Sequence, residues 1–124
     1  MPRVTYFDMN VDDTGRAMKF YSQVFGWKFE KWKGPFEYWL AMTGDEKTPG
    51  INGGLAKRED PSAHIMNFID VVSVDDSAEK IIAGGGKILQ AKQAIPGVGY
   101  IAIFQDTENN MFGILQPDES ARQL

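Results

Sequence analysis

The chain repeats one pattern of segments at an interval of about half its length of 124 residues. Phe7-Asp8-Met9 is matched by Ile69-Asp70-Val71, and Val11-Asp12-Asp13 is matched by Val74-Asp75-Asp76, with offsets near 62 residues. A solenoid would need at least three such repeats to bury its core. The spacing therefore predicts one domain built from two similar halves.

Each half reads as a strand, a helix and then three strands. Apolar and polar residues alternate with period two in the predicted strands, whereas the helices carry apolar residues three and four positions apart. The predicted strands of the first half are 4–11, 27–32, 36–42 and 51–55, and those of the second half are 65–74, 87–92, 98–105 and 111–116.

The helices have recognisable ends and apolar stripes. Asp12 and Asp13 can cap the first helix, Gly26 can end it in a left-handed conformation, and Asp76 with Glu79 fits a reciprocal cap on the second helix. We expect the apolar stripes to face the core; they comprise Ala17, Phe20, Tyr21, Val24 and Phe25 in the first helix, and Ala78, Ile81 and Ile82 in the second.

A charged segment with a proline, Lys57–Ser62, separates the halves. We therefore predict a single domain over 1–124, with repeat 1 at about 1–56, a linker at about 57–63, repeat 2 at about 64–117 and a polar tail at 118–124.

Composition excludes several classes of protein. There is no cysteine, so disulfides and thiolate metal sites are excluded. The net charge is −4 and no lysine or arginine cluster is present, which argues against nucleic-acid binding. No signal segment and no apolar run of about 18 residues is found. We expect a cytoplasmic protein that does not bind membranes.

Three motifs in order resemble the vicinal-oxygen-chelate superfamily, which includes glyoxalase, bleomycin-resistance and dioxygenase proteins. They are Phe20–Trp27 (FYSQVFGW), Gly97–Asp106 and Phe112–Pro117 (FGILQP), although Thr107 and Asn109 replace the proline and glycine of the family's hairpin. The resemblance implies an α+β fold in which two tandem βαβββ repeats form an incomplete barrel around a cleft, with the helices outside. It also implies a homodimer.

The resemblance places four metal-ligand positions that here lack typical ligands. The first-strand histidine falls at Tyr6, its counterpart within Asn67 to Ile69, and the last-strand glutamate at Gly113, with its counterpart near Asn52-Gly53. A phenol binds metal only after losing a proton whose pKa is about 10. We read His64, the one histidine, as a solvated loop residue, and we predict no metal and no cofactor.

Asp8 is the candidate catalytic residue. Tyr6 and Asp8 should share one face of a strand, and a carboxylate in an apolar cavity has a raised pKa. Such a group can act as a general base or hold a cationic ligand, or it can simply bond to neighbouring backbone. The predicted ligand-binding residues are Tyr6, Asp8, Tyr38, Asn67 and Tyr100.

Three functions stay open. The first is a metal-free domain that binds a small molecule. The alternative is an atypical lyase, isomerase or dioxygenase-type enzyme that uses Tyr6, Asp8 and Asn67, and the sequence does not decide whether the protein is an enzyme. The third is an interaction subunit whose cleft a partner completes.

Overall fold

The computed structural model describes residues 2–122, which comprise eight strands and two helices in the order βαβββ, βαβββ. This confirms the α+β fold class. The elements are β1 (Arg3–Val11), α1 (Thr14–Phe25), β2 (Lys28–Lys31), β3 (Trp39–Met42), β4 (Asn52–Lys57), β5 (Ile65–Asp70), α2 (Val74–Ala83), β6 (Lys87–Ile95), β7 (Gly99–Gln105) and β8 (Met111–Pro117).

The chain packs as two compact units. The first unit is Tyr6–Met66, and the second comprises residues 2–5 and 67–122. The predicted tail is packed where the structure describes it, because Ala121 is buried and its carbonyl accepts a hydrogen bond from the Gly97 N–H at 3.0 Å. Its last two residues, 123 and 124, lie outside the described residues. The incomplete barrel and its cleft stay predictions.

In the first unit the strand order is β2-β3-β4-β1, and only the β4–β1 pair is parallel. The register places Gly54 of β4 between Asp8 of β1 and Leu40 of β3. Directly opposed residues in a sheet point to the same face. Asp8, Gly54 and Leu40 therefore form one row on one face of the sheet.

Both ends of α1 agree with the sequence prediction. The Asp13 carboxylate accepts from the Arg16 N–H at 2.9 Å, and Gly26 has a φ of 74° with its N–H bonded to the Ser22 carbonyl at 3.0 Å. A side-chain oxygen before the helix and a left-handed glycine after it satisfy backbone groups that have no partner within the helix. These caps fix where the chain leaves β1 and where it enters β2.

The helix lies over the face of the sheet opposite Asp8. Phe7 points to that face, and its ring is 6.0 Å from that of Trp27. Trp27 in turn stacks on Tyr21 of α1 at 5.0 Å. The buried core residues of this unit are Met9, Ala41 and Leu55. Because side chains alternate along β1, Tyr6 and Asp8 point away from this core.

The prediction that the whole apolar stripe of α1 is buried is wrong. Phe20, Val24 and Phe25 are 54%, 54% and 62% exposed. The half-buried apolar side chains of α1 are Ala17 and Tyr21, which belong to the predicted stripe, and Met18, which does not. The predicted stripe is wider than the face of α1 that packs on the sheet, so only part of it is covered.

The second unit has the strand order β5-β8-β7-β6 and a core of Val71, Val74, Ala102 and Ile114. Ile81 of α2 packs against this core, but Ile82 is 61% exposed, so its predicted burial is wrong.

The predicted cap of α2 is also wrong. The helix begins at Val74, and the Ser73 hydroxyl accepts from the Asp76 N–H at 3.1 Å. The Val74 N–H is bonded to the Gln116 side chain at 3.0 Å. Ser73 precedes the buried Val74 and is as good a cap as aspartate. Burial of Val74 thus sets the helix start earlier than the acidic residues indicate.

The predicted hairpin loop 106–110 is present between β7 and β8. Asn109 has a φ of 67°, a left-handed conformation that asparagine tolerates better than most residues other than glycine. The Asp106 carboxylate accepts from the N–H groups of Asn110 and Glu108, and these bonds lower the pKa of Asp106. Asparagine therefore replaces the family's glycine without loss of the turn.

Neither helix within residues 2–122 has the length and apolar character needed to cross a membrane.

Candidate functional site

A chain of hydrogen bonds joins Tyr6, Tyr38 and Asp8 in the first unit. The Tyr38 hydroxyl donates to Asp8 Oδ1 at 2.5 Å, and the two tyrosine hydroxyl oxygens are 2.6 Å apart. Tyr38 has one hydroxyl proton, and that proton is used toward Asp8. Tyr6 must therefore be the donor to Tyr38, and the chain runs in one direction, from Tyr6 through Tyr38 to Asp8.

Gly54 provides the space for this chain. A Cβ at position 54 would lie 1.6 Å from the Tyr38 hydroxyl oxygen, 2.0 Å from Tyr38 Cζ and 2.5 Å from the Tyr6 hydroxyl oxygen. Gly54 is buried, and its backbone is held by β1 on one side and β3 on the other. Only a residue without a side chain leaves room for both tyrosine hydroxyls of this chain.

Burial controls the acidity of all three groups. It raises the pKa of the Asp8 carboxyl above its usual range, and the hydrogen bond from Tyr38 partly opposes that shift. It raises the pKa of Tyr6 to about 12, where the bond to Tyr38 opposes the shift and the charge of Asp8 adds to it. Burial, followed by the charge of Asp8, also raises the pKa of Tyr38. Both phenols are therefore protonated near neutral pH.

Asp8 has no cationic partner in the part of the chain that the structure describes. The ion pairs there join Arg58 to Asp12 at 3.5 Å and Lys92 to Asp75 at 3.0 Å. Asp8 is nevertheless only partly exposed. Placing a carboxylate in such surroundings without a counter-charge costs free energy. The stability of the fold therefore gives no reason for an unpaired carboxylate at this position.

Residues 32–38, here called the aromatic loop, lie beside this chain. The Trp32 ring is 4.8 Å from that of Phe36 and 6.0 Å from that of Tyr38. A Cβ at Gly34 would lie 2.0 Å from the Trp32 indole, so the turn passes directly over that ring. Phe36 is 52% exposed. The loop thus continues the tyrosine chain as a partly open aromatic surface.

This loop corrects one strand boundary. The predicted strand began at Phe36, but β3 begins at Trp39. The rings of Trp32, Phe36 and Tyr38 cluster with one another, and residues 34–36 bend. Ring packing within the loop replaces the pairing that an extended segment would have made.

The other predicted site residues lie in the second unit. Asn67 is exposed in β5. Tyr100 packs against the core of that unit, and Lys92 Nζ lies 4.6 Å from the centre of its ring. Asp70, the repeat counterpart of Asp8, accepts from the Thr5 hydroxyl at 2.7 Å. The structure therefore brings together three of the five predicted residues, and ligand contact by Asn67 and Tyr100 stays a prediction.

The residues at the family's metal-ligand positions do not fit a divalent ion. Gly113 is opposite Phe68, and a Cβ there would lie 2.2 Å from the Phe68 ring, so an aromatic ring fills the place of a ligand side chain. Asn52 accepts from the Thr43 N–H at 2.9 Å, and Tyr6 holds its proton in the chain described above. His64 is exposed, and residues 2–122 contain no group of three or more His, Cys, Asp or Glu side chains arranged to hold a metal.

Sequence reasoning missed Gly54, and it missed Phe36 as part of a surface next to Tyr38. One signal was available for Gly54, because adjacent glycines within a strand often mark the close approach of other groups. The register that places Gly54 opposite Asp8 was not available, since strand pairing over 46 positions is not visible in local patterns.

The two buried tyrosines should resist alkaline ionisation. Among the four tyrosines of the chain, we expect Tyr6 to ionise near pH 12 and Tyr38 to ionise later still, because burial disfavours both phenolates. Absorbance at 295 nm during a pH titration measures this, with Tyr6→Phe and Tyr38→Phe used for assignment. If either variant lost one of the ionisation steps that occur at lower pH, burial of the Tyr6 and Tyr38 hydroxyls would be contradicted.

Comparison with known proteins agrees with this fold. The family model described as "Glyoxalase/Bleomycin resistance protein/Dioxygenase superfamily" matches residues 3–114. The chain belongs to this superfamily.

Individual relatives are distant. A protein from Didymella fabae described as "Glyoxylase-like domain-containing protein" is 28% identical over 117 residues, covering 90% of this chain and 91% of the relative. Among solved structures, a hypothetical protein from Bacillus halodurans C-125 has a TM-score of 0.72 at 11% identity, covering 98% and 99% of the two chains. Methylmalonyl-CoA epimerase from Mycobacterium tuberculosis has a TM-score of 0.69 at 12% identity, covering 93% and 87%. At such identities the likeness shows the fold alone.

Proposed function

We propose that this protein is a metal-free domain that binds a small molecule at the chain formed by Tyr6, Tyr38 and Asp8. One observation carries the proposal. Asp8 is a partly exposed carboxylate on the sheet face opposite α1, it accepts a hydrogen bond from Tyr38, and it has no ion-pair partner within residues 2–122. Groups held at such a cost occur preferentially at functional sites.

The surroundings of Asp8 suit a ligand contact. Binding sites usually combine apolar and aromatic walls with a few fixed polar groups. Here the polar groups are Asp8 and the two tyrosine hydroxyls, and the aromatic loop supplies the walls. Gly54 has no side chain, and a Cβ at this position would overlap the tyrosine hydroxyls.

A thermal-shift screen tests the proposal. We expect planar compounds from a broad panel to raise the melting temperature of the wild type, because a ligand at 100 times its Kd adds about 2.7 kcal/mol of stability. The same compounds should fail on the Gly54→Ala variant and succeed on Gly15→Ala, a substitution on exposed α1. If no compound in the panel stabilises the wild type, or if Gly54→Ala responds as the wild type does, the proposal is wrong.

An acid–base enzyme is the second candidate, and the raised pKa of Asp8 favours it. A carboxylate whose pKa is raised is a stronger general base than an ordinary aspartate. In this alternative Asp8 removes a proton from carbon, with Tyr6 contacting the substrate. One solved relative is called methylmalonyl-CoA epimerase. Uptake of deuterium from D₂O into methylmalonyl-CoA, abolished in Asp8→Asn, would support this candidate, and no uptake by the wild type would exclude that substrate.

A further inference from the structure

We propose that the ligand is an organic cation, an amine or amidine attached to a flat apolar body. This inference rests on the proposed function and names the class of molecule that the same site selects. Three independent features of the first unit support it: the direction of its hydrogen bonds, its charges and its exposed rings.

The direction of the hydrogen-bond chain means that the site can accept hydrogen bonds from a ligand but cannot donate them. The Tyr38 proton is directed to Asp8 and the Tyr6 proton to Tyr38, so neither hydroxyl has a proton to offer to a ligand while the chain is intact. The ionised Asp8 carboxylate can only accept hydrogen bonds. The Tyr38 hydroxyl donates to one of the two carboxylate oxygens of Asp8, and the other oxygen can accept from a ligand. A ligand that complements this site must donate hydrogen bonds, and protonated amines and amidines donate without accepting.

The charge on this face of the sheet favours a cation. Glu30 of β2 is opposite Leu40 of β3 and so lies in the same row as Asp8. Lys28 lies two positions earlier in β2, on the same face. Lys28 and Glu30 are both exposed, and their charges offset each other. Asp8 is the more buried charge, so it decides the local sign. An incoming cation supplies the counter-charge that residues 2–122 do not provide.

The aromatic loop extends the site beyond Asp8. The rings of Trp32 and Phe36 lie 6.0 Å and 6.3 Å from that of Tyr38, whose hydroxyl contacts Asp8. Aromatic faces attract cations and also pack against flat apolar groups. A ligand with its cationic group at Asp8 and its flat body along these rings would contact both parts of the site.

Three compounds of nearly equal shape test the class: benzamidine as the cation, benzamide as the neutral form and benzoate as the anion. Binding is followed by the backbone amide shifts of the full chain in NMR titrations at pH 7. We expect benzamidine to bind at least about tenfold more tightly than benzamide, as one charge-assisted hydrogen bond allows, and benzoate to bind most weakly. The largest shifts should occur at residues 6–8, 38 and 54.

Two variants separate charge from shape. Asp8→Asn should remove the preference for benzamidine while benzamide binding stays within about twofold, whereas Phe36→Ala should weaken benzamidine and benzamide together. If benzamide or benzoate binds at these residues as tightly as benzamidine, the cationic class is wrong while the proposed function stands. If none of the three shifts these residues, the cationic class is also wrong, and the thermal-shift panel decides the proposed function separately.

Discussion

Replacing Gly54 with alanine is expected to lower the free energy of unfolding by about 1–3 kcal/mol, the usual range for overpacking a filled site. It should also remove ligand binding. The new methyl group would overlap the Tyr38 and Tyr6 hydroxyls, and the paired strands on both sides prevent the backbone of Gly54 from moving away. Tyr38 must therefore leave Asp8. Urea denaturation measures the stability and NMR titration measures the binding.

Gly15→Ala is the matched control, because it makes the same chemical change near the start of α1. A Cβ there would lie 3.6 Å from Asp13, an ordinary contact, so we expect stability to rise by about 0.5–1 kcal/mol. A double-mutant cycle with Tyr38→Ala locates the clash, because Gly54→Ala should cost much less once the ring is absent. Equal costs in both backgrounds would contradict the contact between Gly54 and Tyr38.

Asp8→Asn is expected to make the protein more stable at pH 7 while it removes the preference for cations. Asparagine has nearly the shape of aspartate, and its carbonyl oxygen can still accept from Tyr38, but it carries no charge to bury. We expect a gain of about 0.5–2 kcal/mol, the common range for stabilising substitutions. Stabilisation with loss of function is the behaviour of a residue that is kept for binding and not for folding.

The sign of this effect depends on pH. The folded state raises the pKa of Asp8 above its ordinary value of 3.8, so it holds the proton more tightly than the unfolded chain does. The stability contributed by that proton is fully present below pH 3.8 and is lost as the pH rises through the folded pKa. The advantage of Asp8→Asn should therefore be largest near neutral pH and disappear toward pH 3, because wild-type Asp8 is then neutral in both states.

Asp45→Asn is the control for removing one negative charge. Asp45 is exposed and accepts from the N–H groups of Lys47 and Thr48, which asparagine can also satisfy, so the change in stability should stay within about 0.5 kcal/mol. Thermal unfolding from pH 3 to pH 8 compares the two variants. A destabilised Asp8→Asn protein at pH 7 would show that Asp8 serves the fold.

Local patterns in the sequence predicted the elements well and their packing less well. Alternation along β1 placed Tyr6 and Asp8 on one face, and Asp13 and Gly26 marked the ends of α1. The buried part of the α1 stripe could not be chosen, because Phe20, Val24 and Phe25 extend the apolar surface of Ala17 and Tyr21 around the helix. Which stripe is covered depends on where the sheet lies, and that is decided by contacts distant in sequence.

The candidate site shows the same limit. Tyr6, Tyr38 and Asp8 were each named from the sequence, but their hydrogen bonds depend on a residue with no functional group. Gly54 lies within a predicted strand, and its missing side chain leaves room for the hydroxyls of Tyr6 and Tyr38. Residue types indicate which side chains can take part in a site. Whether those side chains have room to meet depends on the register between β1, β3 and β4.

The most direct test of the account is the NMR titration of the wild-type protein with benzamidine, with amide shifts followed over the whole chain. We predict saturable shifts that are largest at Asp8, Tyr38 and Gly54 and that are absent in Gly54→Ala. Shifts that are largest in residues 67–122, or that persist unchanged in Gly54→Ala, would show that the Tyr6–Tyr38–Asp8 chain is part of the fold and not the place where a ligand binds.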